Sequence, residues 1–87
     1  MYNNGYQTEA WEMFVSYKKL WHILVDREML KKDLSEAAGI SKGTISKLSK
    51  NETVNMEIML KICNALNCDI GDVMEVFPDN TTYLIGR

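Results

Sequence analysis

Lys31-Lys-Asp-Leu-Ser-Glu-Ala-Ala-Gly-Ile-Ser-Lys-Gly-Thr-Ile-Ser-Lys-Leu48 is the stretch that decides the fold of this 87-residue chain. Leu34, Ala37 and Ala38 follow Lys31 at helical spacing, so residues 31–38 read as a short helix with those three side chains inward. Gly39 ends it, because glycine readily takes the left-handed conformation of a helix stop. Ser41 then serves as N-cap of a second helix, Lys42 to about Ser49, with Ile45 and Leu48 inward. Two helices joined so tightly need small residues at their crossing and apolar residues at fixed offsets on either side. Leu34, Ala38, Gly39, Ile40, Ile45 and Leu48 supply these in order.

Outward from this core, the periodicity continues in both directions. Ser16 reads as the N-cap of a helix to about Glu28, whose inward face is Tyr17, Leu20, Trp21, Leu24 and Val25. After a polar break, Asn55 caps a helix with the stripe Met56, Met59, Leu60, Cys63 and Leu66, widened by Ile62 and ended by Asn67. Asp69 with Asp72 three residues on makes an approximate capping box for a fifth helix through Val76, stopped by Pro78. Thr81–Ile85 leans towards β structure, with Met13-Phe-Val as its natural partner. The expected fold is all-α, five short helices, with room for one short terminal β pairing. Residues 1–15 read as an N-terminal extension, 16–78 as the domain and 79–87 as a C-terminal tail.

Charge is distributed unevenly. The whole chain carries a net charge of -2 and a pI near 5.3, which by itself argues against a nucleic-acid partner. Residues 27–50 nevertheless hold Arg27, Lys31, Lys32, Lys42, Lys47 and Lys50 against Glu28, Asp33 and Glu36, while residues 51–87 are strongly acidic. A basic segment inside an acidic chain marks a candidate anion-binding face. No apolar run reaches the ~18 residues of a membrane span, and the first residues lack the charge and apolar stretch of a secretory signal. Cys63 and Cys68 are too few for a disulfide framework, so a soluble, cytoplasmic protein without membrane partners is expected.

The Lys31–Leu48 pattern is that of a helix-turn-helix, whose second helix can lie in a DNA major groove. With Ala-Gly-Ile-Ser at the turn, Thr-Ile-Ser in the second helix and Leu66-Asn-Cys-Asp-Ile-Gly-Asp72 further on, the chain resembles the phage-repressor (Cro-like, XRE) helix-turn-helix family over roughly residues 16–78. The resemblance implies a five-helix DNA-binding domain and a transcriptional regulator, with repression the commoner outcome. The sequence departs from the family pattern at Leu30, where a Thr or Ser cap is common, and at Lys31, where glutamine is frequent. Ser35 stands at a site that is usually alanine, and Gly43 where many relatives carry a base-reading side chain.

The residues of the second helix point the same way without the family. With Ile45 and Leu48 inward, its outer face is left to polar and basic groups. Lysine donates to guanine O6 and N7, and hydroxyls reach bases or phosphates. Lys42, Gly43, Thr44, Ser46 and Lys47 are therefore the candidate base contacts, and Lys31, Ser41, Lys50 and Asn51 the candidate phosphate contacts. Lysines on an exposed helix are commonly just solvated; the turn pattern is what singles these out.

Nothing points to catalysis, a metal, a cofactor or a small-molecule ligand. His22 has no partner cluster, Cys63 and Cys68 read as buried or half-buried thiols, and no phosphate loop or nucleophile motif occurs. Double-stranded DNA is the expected partner, bound as a homodimer, because one recognition helix spans only a few base pairs. Ile70, Val73, Val76, Phe77 and Tyr83-Leu84-Ile85 are the expected dimer surface, with strand pairing to Phe14-Val15. No effector domain is recognisable, so regulation would fall to dosage, oligomerisation or a partner. The alternatives are an autorepressing antitoxin and a protein-interaction module that has lost DNA binding, the latter suggested by the low pI and by Gly43.

Overall fold

Leu20, Leu34, Leu48, Ile62, Leu66, Val73 and Phe77, all fully buried, come from six different elements and meet in one core. In the computed structural model, which describes residues 13–78, these elements are β1 (Phe14–Ser16), α1 (Lys18–Asp26), α2 (Lys31–Ala38), α3 (Lys42–Ser49), α4 (Met56–Leu66), α5 (Ile70–Val73) and β2 (Glu75–Phe77). The helices α1 and α5 pack together, α2 lies on both α3 and α4, and α4 also contacts α5. No helix among the described residues is long and apolar enough to cross a membrane.

Local chemistry fixes the helix-turn-helix. Leu30 has no side-chain acceptor to offer as N-cap, yet Asp33 Oδ2 accepts the Leu30 N–H at 2.7 Å, so the reciprocal half of a capping box is made without the usual Ser or Thr. Gly39 adopts φ 71°, as the expected stop requires. Ser35 turns out to have its own role there: its hydroxyl donates to the Ile40 carbonyl at 2.6 Å and closes the turn from inside. Ser41 caps α3, its Oγ accepting the Thr44 N–H at 3.1 Å. The bounds of α2 and α3 are those read from the sequence.

Elsewhere the structure corrects the expectation. Ser16 ends β1 instead of capping α1; it is buried, and its Oγ accepts the Lys18 N–H at 3.2 Å. The helix then stops at Asp26, and Glu28 takes a left-handed φ of 57°. The inward face of α1 keeps Leu20 and Leu24, beside the buried N-cap Tyr17 and with Trp21 and Ile23 half-buried, but Val25 is 72% exposed. Ala37 is exposed on α2. On α4 the buried line is Met59, Ile62 and Leu66, at i, i+3 and i+7, leaving Met56 and Leu60 outside. In each case the helical period is right and the face is rotated towards the neighbour that covers it.

The largest change lies at the C-terminal side. The fifth helix does not reach Val76: it ends at Val73, Met74 is extended at φ −147°, and Glu75–Phe77 form a strand. That strand pairs antiparallel with β1, in the register Phe14↔Phe77, Val15↔Val76, Ser16↔Glu75. Phe14 and Val15 therefore pair within the chain with β2, a partner the sequence reading did not name; the expected partner, Thr81–Ile85, lies outside the described residues. Lys19 braces this corner, donating to the Gly71 carbonyl at 3.1 Å and facing Glu75 at 3.5 Å. Val73 and Phe77, expected on a dimer surface, are buried in the protomer's own core, whereas Val76 is half exposed.

Candidate nucleic-acid interface

Because α3 buries only Leu48 completely and Thr44 and Ile45 in part, the rest of it is surface. Lys42, Gly43, Ser46, Lys47 and Lys50 are exposed, and Thr44 is half-buried. Lys42, Lys47 and Lys50 make no ion pair with any described residue, and α3 itself contains no acid. Five of the nine expected contact residues thus stand on one exposed, cationic surface. Its first turn leaves backbone N–H groups without helical acceptors, a disposition that suits a phosphate oxygen.

The other expected residues are placed differently. Ser41 is exposed, but its hydroxyl is engaged with the Thr44 N–H and lies 3.1 Å from Thr44 Oγ1. Asn51 sits just after α3 at φ 59°, and its Oδ1 accepts the Tyr17 N–H at 3.1 Å, so its carboxamide oxygen is used inside the protein. Lys31 reaches across to the end of α3, donating to Ser49 Oγ at 2.9 Å with its ammonium 4.4 Å from the Trp21 ring centre.

Between α2 and α3 runs a groove of about 430 Å³, lined by Lys31, Lys32, Ser35, Glu36, Lys42 and Ile45. Lys32 and Glu36 were not among the expected contacts. They stand at i and i+4 on α2, a spacing that puts them on one face of that helix, and only the tertiary structure places that face along the groove.

His22 is exposed, and no group of three or more potential metal ligands occurs among the described residues. Cys63 and Cys68 are half-buried free thiols. They flank the left-handed Asn67, with the Cys68 N–H on the Cys63 carbonyl at 3.1 Å, and burial pushes both thiols up from their ordinary range.

Comparison with known proteins agrees with this geometry. Residues 19–79 match the Cro/C1-type HTH DNA-binding domain. The HTH-type transcriptional regulator YozG of Bacillus subtilis (strain 168), itself described as uncharacterized, is 34% identical over 67 residues, covering 75% of this chain and 80% of its own length. The crystal structure of the transcriptional regulator VanUg (form II) is similar with a TM-score of 0.75 at 48% identity, covering 91% of this chain and 100% of that one. With the two helices, the left-handed glycine and the capped second helix where such a domain needs them, the chain belongs to the Cro/C1-type HTH DNA-binding family.

Proposed function

We propose that the protein is a sequence-specific DNA-binding transcriptional regulator, a cytoplasmic repressor that acts without a cofactor and without enzymatic activity. The observation that carries this reading is the exposed face of α3, where Lys42, Lys47 and Lys50 stand unpaired among described residues in a chain of net charge -2. Lysines left unneutralised on an otherwise acidic protein favour an anionic partner. In this reading α3 enters the major groove, with Lys42, Gly43, Thr44, Ser46 and Lys47 at base edges and Ser41 and Lys50 at phosphates. Two copies bind together, so that two recognition helices contact successive turns of the groove.

Binding to mixed-sequence DNA should weaken steeply with added salt, as counterions released by phosphate contacts compete. Selection from a random DNA pool should return a two-fold related site, and light scattering with that site should give two protomers per duplex. A promoter carrying it should fall silent when the protein is supplied. Absence of DNA binding at every salt concentration would favour a protein-interaction module instead, and a single half-site bound by one protomer would remove the homodimer.

A further inference from the structure

We infer that Lys31, although exposed, positions the recognition helix through its tie to Ser49 and is not a phosphate contact. The inference rests on the DNA-binding reading above and concerns which residues serve it.

Lys31 is the first residue of α2, with Lys32 beside it. A cation there faces the positive end of the helix dipole, so α2 itself gives the ammonium no reason to stay. Other elements hold it. Lys31 Nζ donates to Ser49 Oγ at 2.9 Å and lies 4.4 Å from the centre of the Trp21 ring, whose electron-rich face attracts a cation. The Ser49 hydroxyl spends its own proton on the Ile45 carbonyl at 3.0 Å, leaving a lone pair for the ammonium. The result is a one-way chain in which Lys31 donates to Ser49 and Ser49 donates to Ile45.

That chain joins three helices through one side chain: Trp21 on α1, Lys31 on α2 and Ser49 in the last turn of α3. The helix it reaches is weakly anchored by packing, with Leu48 its one fully buried residue. Its N-terminal end is held by the Ser35-closed turn and the Ser41 cap. At its C-terminal end, Asn51 bonds to Tyr17 just beyond the helix, while Lys31 acts on the last turn itself. A small tilt of α3 would move Lys42, Ser46 and Lys47 relative to the bases, so a tie on its last turn governs site discrimination more than overall attraction. Lys32 is exposed as Lys31 is, but it makes no ion pair among described residues, whereas Lys31 is engaged by Ser49 and Trp21.

The test compares the intact wild-type protein with Lys31→Ala, Lys31→Gln, Lys50→Ala, Ser49→Ala and the Lys31→Ala/Ser49→Ala pair. Each is titrated over a range of salt against the duplex selected from a random pool and against mixed-sequence DNA. Lys31→Ala should lose about threefold to tenfold at the selected site and change little on mixed DNA, with an unchanged salt slope. Lys31→Gln keeps a donor for Ser49 without the charge; it should recover part of the loss, again at the wild-type slope. Lys50→Ala should weaken both duplexes and lower the slope by about one. Ser49→Ala should add nothing to Lys31→Ala, as expected of residues in one chain. A slope reduced by about one in both Lys31 variants, or additive Lys31 and Ser49 effects, would overturn the positioning role alone. A wild-type protein with no salt-dependent DNA binding would overturn the DNA-binding reading and the positioning role together.

Discussion

Asn51 Oδ1 accepts the main-chain N–H of Tyr17 at 3.1 Å, tying the exit of α3 to the junction of β1 and α1 across 34 residues of sequence. Beside it, the Tyr17 hydroxyl donates to the Glu52 carbonyl at 2.8 Å. The first residue after α3 and its C-cap is thus held to the β1–α1 junction by its own side-chain amide. Asparagine suits the place twice over, because it also tolerates the left-handed φ of 59° found there.

Replacing Asn51 should separate these two contributions. Asn51→Ala loses the hydrogen bond and forces a Cβ residue into the left-handed region, so it should destabilise the fold by about 2–3 kcal/mol. Asn51→Gly keeps the conformation and should cost only about 1 kcal/mol. Urea denaturation of both variants measures this; equal losses would show that backbone conformation contributes nothing at this turn.

The two glycines of the helix-turn-helix should respond with opposite signs. A methyl group at Gly43 would meet only Ser41 Oγ, at an ordinary 3.7 Å, within a regular helical turn. Gly43→Ala should therefore raise stability by about 0.5–1 kcal/mol, while placing that methyl between backbone and DNA and lowering or redirecting operator affinity. Gly39 also has open space around it, but its φ is 71°, so Gly39→Ala should lower stability by about 1 kcal/mol through strain alone. Thermal unfolding of the pair decides the matter, and a destabilised Gly43→Ala would contradict the helical placement of that residue.

Lys47 lies one turn beyond Gly43, exposed and without an ion pair among described residues. Lys47→Ala should reduce affinity for the selected site by about 1–3 kcal/mol and relax preference at one base position. Binding to a panel of single-base variants reads out both effects. An unchanged panel would reject the proposed docking of α3.

Alkaline pH should expose the role of Tyr17. Its hydroxyl is desolvated by burial, which raises its pKa above the ordinary tyrosine value of 10.0. The folded state then keeps a proton that the unfolded state releases, so this contribution is complete below about pH 10 and declines as pH rises further. Tyr17→Phe should be less stable at neutral pH by about 1 kcal/mol through loss of the bond to Glu52. The gap between wild type and variant should narrow above about pH 10. A gap that stays constant from pH 8 to pH 11 would contradict the burial effect.

The sequence by itself determined α2, the turn and α3 to the residue, because their signals are local. Asp33, Gly39 and Ser41 act on backbone groups within three or four positions, and no distant partner is needed to interpret them. It also located the cationic face, since burying Ile45 and Leu48 leaves Lys42 and Lys47 outward on any eight-residue helix. The rotation of α1 and α4 was decided only in three dimensions. Period 3.6 reveals that a helix has an apolar side, but packing against α5 and α2 chooses among neighbouring apolar residues, and Val25, Met56 and Leu60 lost that choice. The same holds for β2, where Val73 and Phe77 keep helical spacing although the chain between them turns into a strand. Its hydrogen-bond partners lie some sixty residues earlier, at Phe14–Ser16, and no local pattern carries such a pairing. Lys31 is the clearest instance: its sequence position marks a cation at the start of α2, and only the approach of Trp21 and Ser49 from two other helices ties that exposed cation to its neighbours.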